Sequence, residues 1–321
     1  MRIKNNIILY LLNLSLAVSI LFSCSFRDGI ADYSEIRGLM SSAIKDSVFP
    51  GAVLLFGNNN EIIFHEAFGH FTYDTISERI SKSSIFDLAS VSKVIGTTSA
   101  AMLLVQNDKL SIDDRVIDYL PEFDNNGKDQ ITIRNLLLHN SGMPAFKRYY
   151  DVYESEAEVI NDIMNLKPEY QAGEKYIYSD LGMITLQKVI EKISSLPMNI
   201  YLEENLFNKL EMHNTLYDPP AEIKSNCVPT EIDDYWRMRL IQGEVHDERA
   251  FMLNGVAGHA GLFSTASDLA KFSQMMLNDG YYKGVNIIDK NIIDEWISRQ
   301  TDQSDRALGW DTKSEIILKR L

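Results

Sequence analysis

Only two of the 321 residues are cysteine, Cys24 and Cys227. With so little to cross-link, the fold has to rest on the size of its core. Positive charge is also scarce: 31 Lys and Arg stand against 45 Asp and Glu, a formal net charge of -14. Such an acidic surface argues against nucleic acid and against a peripheral grip on anionic lipid. The six histidines form no His-Glu-x-x-His or comparable ligand spacing, so neither a metal nor a cofactor is expected. There is no Gly-x-Ser-x-Gly elbow, which sets an α/β-hydrolase aside. Gly255-x-x-Gly258-x-x-Gly261 lacks the following lysine and the strand context of a phosphate loop. No internal repeat and no low-complexity segment occurs. What is present is ordinary globular composition, 45% hydrophobic and 24% charged, enough for a core plus a lobe.

The N-terminus reads as a targeting segment. Met1-Arg-Ile-Lys4 is basic, and Ile7 to Phe22 is an almost unbroken apolar run. That run is shorter than the roughly 20 residues of a membrane span and suits a signal peptide. It ends at Leu21-Phe-Ser-Cys24, which resembles the bacterial lipobox, although Phe22 is bulkier than that pattern prefers. The expectation is a lipoprotein signal over residues 1–23, lipidation of Cys24, and an exported, membrane-anchored protein facing the periplasm or cell surface of a bacterium. An ordinary cleaved signal or a short uncleaved anchor are the alternatives.

Residues 32–45 carry apolar side chains at helical spacing (Ile36, Leu39, Met40, Ala43, Ile44) and Pro50-Gly51 punctuates their end. Residues 52–56 and 61–67 read as a hairpin joined by Gly57-Asn-Asn-Asn60. Residues 89–105 are apolar on most sides, so this helix should be buried. From there to about Asn254 the pattern is nearly all helical, most clearly over 132–139, 156–164, 181–193 and 200–210. Thr265-x-x-Asp268 opens a capped helix through Leu277. The fold class expected is α/β, an antiparallel sheet flanked by helices. Its sheet part covers about 32–95 and 262–321, and an all-helical lobe is inserted over about 96–261. A cleft between two such parts is a common ligand site.

Two Ser-x-x-Lys patterns compete for the chemistry. Residues three apart on a helix share a face, so the lysine, when neutral, can take the serine proton. Ser42-Ala-Ile-Lys45 sits near the end of the first amphipathic helix, where its side chains are most simply solvated. Ser90-Val-Ser-Lys93 opens the buried helix, where an unpaired ammonium is costly and a lysine needs a reason to be. A first-turn serine also gains the helix dipole and free N–H groups for a developing oxyanion. Tyr178-Ser-Asp180 adds a phenol able to shuttle the proton. Alone, such a tyrosine is more often a packed aromatic. His139 beside Ser141-Gly142 is more simply a turn brace than half of a dyad.

The order of four segments is more specific. Phe86-Asp-Leu-Ala-Ser-Val-Ser-Lys93, Leu136-Leu-Leu-His-Asn-Ser-Gly142, Tyr178-Ser-Asp180 and Gly258-His-Ala-Gly-Leu-Phe-Ser-Thr265 follow one another in this chain. Together they resemble the serine β-lactamase-related family of class C β-lactamases, DD-peptidases and esterase relatives. The similarity runs from about Pro50 to Trp310 and is greatest to the periplasmic branch related to penicillin-binding protein 4B. It implies an acyl-enzyme mechanism with Ser90, Lys93 and Tyr178 as catalytic residues and a cell-wall D-alanyl peptide, amide or ester as substrate.

Two departures stand out. Where the family more often has Tyr-x-Asn, position 180 is Asp, a carboxylate that accepts but cannot donate. Beside Lys93 it would favour the ammonium and weaken that base, which shifts proton transfer toward Tyr178. The third motif, Lys or His followed by Thr-Gly on a strand, is not found. His259-Ala-Gly261 mimics it but precedes a capped helix, and His259 reads as a loop residue near the cleft. The C-terminal strands that should follow Gly309-Trp310 are expected to be missing, with Lys319-Arg-Leu321 resembling a fragment end. The alternative function is therefore a catalytically inactive binding or regulatory protein on the same scaffold.

Overall fold

In the computed structural model, residues 32–302 and 304–313 are described. The chain divides into two units, residues 1–46 and 47–321. The first contributes α1 (Ser34–Lys45), the helix expected over 32–45. Asp32 accepts from Ser34 N at 2.9 Å and Ser34 Oγ at 3.0 Å, which ties down the start of the helix. The signal segment, Cys24 and Lys319-Arg-Leu321 lie outside the described residues.

The second unit opens with the expected hairpin. Strands β1 (Gly51–Gly57) and β2 (Ile62–Gly69) pair antiparallel from Gly51↔Gly69 to Phe56↔Phe64, with a shift in register at Gly57. Asn58 closes the turn: its Oδ1 accepts from Asn60 N at 2.8 Å and Glu61 N at 3.0 Å, the local bonding that makes Asn a turn residue. After the short strand β3 (Phe86–Asp87) the buried helix begins. A π-helical stretch, Lys93–Thr98, runs into α2 (Ser99–Gln106), in which every residue from Ser99 to Leu104 is buried.

Helices then dominate: α3 (Ile133–Leu137), α4 (Glu156–Asn165), α5 (Asp180–Ser194) and α6 (Met198–Leu202). Thr132 and Ser155 cap α3 and α4 reciprocally with Asn135 and Glu158, satisfying first-turn N–H groups. The expectation of an all-helical span over 96–261 needs correction. It also holds β4 (Leu216–Tyr217), β5 (Glu231–Asp233) and β6 (Arg239–Ile241). Strands of two or three residues are too short for an alternation to be read. Next come α7 (Glu248–Met252), β7 (Leu262–Ser264) and α8 (Ala266–Leu277). The turn strands β8 (Tyr281–Tyr282) and β9 (Val285–Asn286) and the helix α9 (Lys290–Ile297) follow. A three-stranded antiparallel sheet runs β3-β7-β4. Thus His259-Ala-Gly261 leads into a strand, β7, before the capped helix.

Helices α2 and α5 are the centre of the core; Leu181, Met183, Ile184, Leu186 and Ile190 are fully buried, as are Leu206 and Trp296. Each such side chain contributes about 1.5–3 kcal/mol through removal from water. The glycine-rich segment before β7 is clamped between the π-helical stretch and α5. Thr97 Oγ1 donates to Gly258 O at 2.6 Å, and Gln187 accepts from Gly258 N at 2.8 Å while donating to Val256 O at 3.0 Å. Leu262 N donates to Ser92 Oγ at 3.0 Å.

Gly258 sits so close to α5 that a methyl group there would run into the Met183 carbonyl, backbone against backbone. Gly258→Ala should therefore lower stability by about 1–3 kcal/mol. A reduced urea midpoint with unchanged slope is the expected reading, and wild-type stability would refute the close packing.

Candidate active site

Asp87 ends β3, and the chain turns sharply at Ala89, whose φ of 46° is left-handed for a residue with a Cβ. The Asp87 carboxylate holds that turn: Oδ1 accepts from Ala89 N and Oδ2 from His246 N, both at 2.8 Å. Burial nevertheless pushes its pKa up. Ser90 emerges exposed at the head of the helix. One turn later Lys93 is only 3% exposed.

Lys93 Nζ donates to Ser90 Oγ at 2.9 Å and to the His259 carbonyl at 2.8 Å, and pairs with Asp180 Oδ1 at 2.8 Å. An ammonium has three hydrogens and no acceptor, so this arrangement meets each one. For Ser90 to become a nucleophile, one hydrogen has to leave Nζ. Tyr178 stands beside it: Lys93 Nζ is 4.8 Å from the ring centroid, and the residue is 38% exposed.

His139 fixes Tyr178 from both sides. Its carbonyl accepts from Ile177 N at 2.9 Å and its Nδ1 accepts from Ser179 N at 3.1 Å. Its ring packs on the Tyr178 ring at 4.4 Å between centroids. Ser179 continues the placement by capping α5, accepting from Gly182 N at 3.1 Å. The brace reading of His139 thus gains a specific object.

Asp180 is shared. Its Oδ2 lies 3.0 Å from Arg249 Nη2, which is 2.6 Å from Asp247 Oδ2. Asp247 Oδ1 is 2.8 Å from His259 Nε2. Burial pushes the Asp247 carboxyl up, but His259 and Arg249 outweigh it and hold the group well below the carboxylate range. Asp180, Asp247 and His259 offer ligand atoms within 4.8 Å of one another. They do not suit a metal centre, because Lys93 and Arg249 already neutralise both carboxylates. A cavity of about 360 Å³ is lined by Asp180 together with Phe146, Arg148, Tyr150 and Arg249.

The structure brings Ser90, Lys93, Tyr178 and Asp180 together. Ser42 and Lys45 are exposed in the last turn of α1. His259 is in the loop expected for it, with a buried ring, and its backbone oxygen touches the site. The sequence reading missed that oxygen and the residues Asp87, Asp247 and Arg249. An Asp N-cap was the only local mark of Asp247, which accepts from Arg249 N and Ala250 N at 3.0 Å each.

The Beta-lactamase family profile matches residues 36–312. Among curated relatives, "N-acetylmuramyl-L-alanine amidase" of Bacillus subtilis is 33% identical over 297 residues, covering 82% of this chain and 67% of the relative. A protein of Salmonella typhi provisionally named D-alanyl-D-alanine carboxypeptidase is 30% identical over 297 residues, covering 83% and 69%. Of solved structures, EstCE1, a hydrolase with promiscuous acyltransferase activity, aligns with a TM-score of 0.69 at 20% identity, covering 87% of this chain and 80% of that one. A class C β-lactamase from Rhodobacter sphaeroides gives 0.68 at 17% identity, covering 86% and 74%. The chain belongs to the Beta-lactamase family and has its β-lactamase/transpeptidase-like fold, as the four ordered motifs implied.

Burial, then the charges of Arg306 and Lys93, push His139 down to about 3. An unfolded histidine titrates near 6.5, so the folded chain binds the proton less well. The stability this neutral ring contributes is present above about pH 6.5 and is lost as pH falls through that value toward about 3. Urea midpoints should decline over that window, and His139→Gln should flatten the decline. Equal pH dependence in wild type and variant would count against a buried neutral ring.

Proposed function

We propose how this serine hydrolase of the Beta-lactamase family works: Ser90 is the nucleophile, and Lys93 with Tyr178 moves the proton. Ser90 Oγ attacks the carbonyl carbon of an amide or ester. Its proton passes to Lys93, or through it to Tyr178, and on to the leaving nitrogen or oxygen as that bond breaks. Water then attacks the acyl-serine by the reverse path, releasing the acid and restoring the hydroxyl. A backbone N–H at the head of the helix, such as that of Ser90, is the donor assigned to the developing oxyanion. The observation that carries this reading is the 2.9 Å contact between the buried Lys93 Nζ and Ser90 Oγ. Tyr178 shares the proton transfer with Lys93.

The substrate proposed is a D-alanyl peptide of the cell wall or a related amide or ester. The relatives named carboxypeptidase and amidase support a wall peptide, and the hydrolase with acyltransferase activity supports breadth toward esters. Export and lipid anchoring at Cys24 fit such a substrate, and the lipobox-like Leu21-Phe-Ser-Cys24 supports them. Among the described residues no helix is long and apolar enough to cross a membrane.

A fluorophosphonate or penicillin probe should add one covalent mass to the protein. Ser90→Ala should abolish the adduct and Ser42→Ala should leave it unchanged. Lys93→Ala and Tyr178→Phe should each slow labelling by about 10²-fold or more. An adduct that survives in Ser90→Ala sinks the assignment. For the anchor, Cys24→Ala should release the protein from membranes or block its processing. Equal membrane retention without lipid label on either form would exclude lipidation there.

A further inference from the structure

A carboxylate is an awkward neighbour for a lysine that has to release a proton. Asp180 Oδ1 is 2.8 Å from Lys93 Nζ, and a negative charge that close stabilises the ammonium. The structure supplies a counterweight. Arg249 Nη2 reaches Asp180 Oδ2 at 3.0 Å and Asp247 Oδ2 at 2.6 Å. Asp247 meets the His259 ring at 2.8 Å, and the His259 carbonyl accepts from Lys93. Five residues from four chain segments therefore close a ring, with two cations set against two carboxylates. None of these side chains is more than 21% exposed, so solvent and salt screen the ring weakly.

We propose that Arg249 is a positioning residue for the Ser90–Lys93 pair, dividing the charge of Asp180 so that this carboxylate holds Lys93 in place without locking the proton on it. This rests on the reading of Ser90 and Lys93 given above. The groups facing Lys93 come from several elements. Ser90 lies on its own helix, Tyr178 and Asp180 at the entry to α5, and His139 after α3. His259 comes from the glycine-rich loop, Asp247 caps α7 and Arg249 lies in it, and Arg306 stands over the Tyr178 ring at 5.9 Å. Only Asp180 among them presents a carboxylate to Nζ at contact distance. Removing Arg249 takes away a nearby positive charge and leaves Asp180 to Lys93 alone. Both changes favour the ammonium. Removing the charge of Asp180 acts in the opposite direction, and removing both should nearly cancel.

The test is the pH dependence of Ser90 labelling by a fluorophosphonate in the full chain. Arg249→Met should move the acid limb of the rate profile up by about one pH unit, and Asp180→Asn should move it down. The double variant should return near wild type. Arg249→Lys keeps the cation but not the fork; it should stay close to wild type and guards against a Met variant that folds poorly. A lower plateau with an unmoved limb in both Arg249 variants, or a limb that moves the same way in Arg249→Met and Asp180→Asn, would overturn the proposal. A second readout is independent of catalysis: NMR of the 13Cε groups in lysine-labelled protein, with Lys93 identified by loss of its signal in Lys93→Arg. That signal should titrate at higher pH in Arg249→Met and at lower pH in Asp180→Asn; identical titrations would reject the coupling. Absence of any Ser90 label in wild type would instead remove the hydrolase mechanism, with the NMR result still deciding the role of Arg249.

Discussion

An ammonium taken out of water needs an acceptor for each of its three hydrogens, or the fold bears the cost of an unmatched charge. Lys93 meets that condition with one partner from its own helix, one from the entry to α5 and one from the loop before β7. These segments are far apart in sequence, so the requirement of one nitrogen fixes how they converge. The supporting contacts follow from it. Thr97 and Gln187 hold Gly258, next to the carbonyl that Lys93 needs. His139 and Ser179 hold the turn that carries Tyr178 and Asp180. These restraints meet beneath Ser90, which is exposed at the surface.

Burial of a lysine is not in itself a sign of chemistry, and Lys128 shows why. It is fully buried and also has three acceptors: Asn125 Oδ1 at 2.7 Å and the carbonyls of Met164 and Leu166 at 2.8 Å. All three are neutral, and burial alone pushes this lysine down to about 8. Nothing nucleophilic stands beside it; it clamps the end of α4 to the preceding turns. What separates Lys93 is its company, a serine hydroxyl at the surface and a carboxylate whose charge is shared with an arginine. A buried lysine needs a reason, but the reason has two forms, and in the sequence only the spacing to Ser90 separates Lys93 from Lys128.

Much of this was legible because it is local. The hairpin announced itself by two apolar runs around an asparagine turn, and the helix after Ser90 by apolar residues on nearly every side. Ser90, Lys93, Tyr178 and Asp180 sit in short motifs whose order carried the family. The misses are non-local. Asp247 and Arg249 reach Asp180 only through the tertiary fold, and no helical or strand period connects them. The contribution of His259 is a backbone oxygen, which residue identity cannot reveal. The strands β4 to β7 have two or three residues each, so their pairing is dictated by the packed elements around them and not by any alternation of their own. The contact between Asp180 and Lys93 was legible from the motifs, but the second partner of that carboxylate, Arg249 at 3.0 Å, was not.

Backbone strain falls at the same place as the buried charge. Ala89 holds a left-handed φ immediately before Ser90, and the helix that follows is π-wound from Lys93 to Thr98. A residue with a Cβ in that region costs about 1–3 kcal/mol, and a π segment departs from the regular helical ladder at sites of function more often than elsewhere. Neither feature is held by its own neighbours alone. Asp87 spans from Ala89 to His246, so the turn that lifts Ser90 into the cleft is tied to the segment that goes on to supply Asp247 and Arg249. One side of that segment fixes the nucleophile's backbone, and the other sets the charge beside its lysine. Geometry and electrostatics of the site therefore have a common support, and a change between Val245 and Arg249 should disturb the two together even where it touches neither Ser90 nor Lys93.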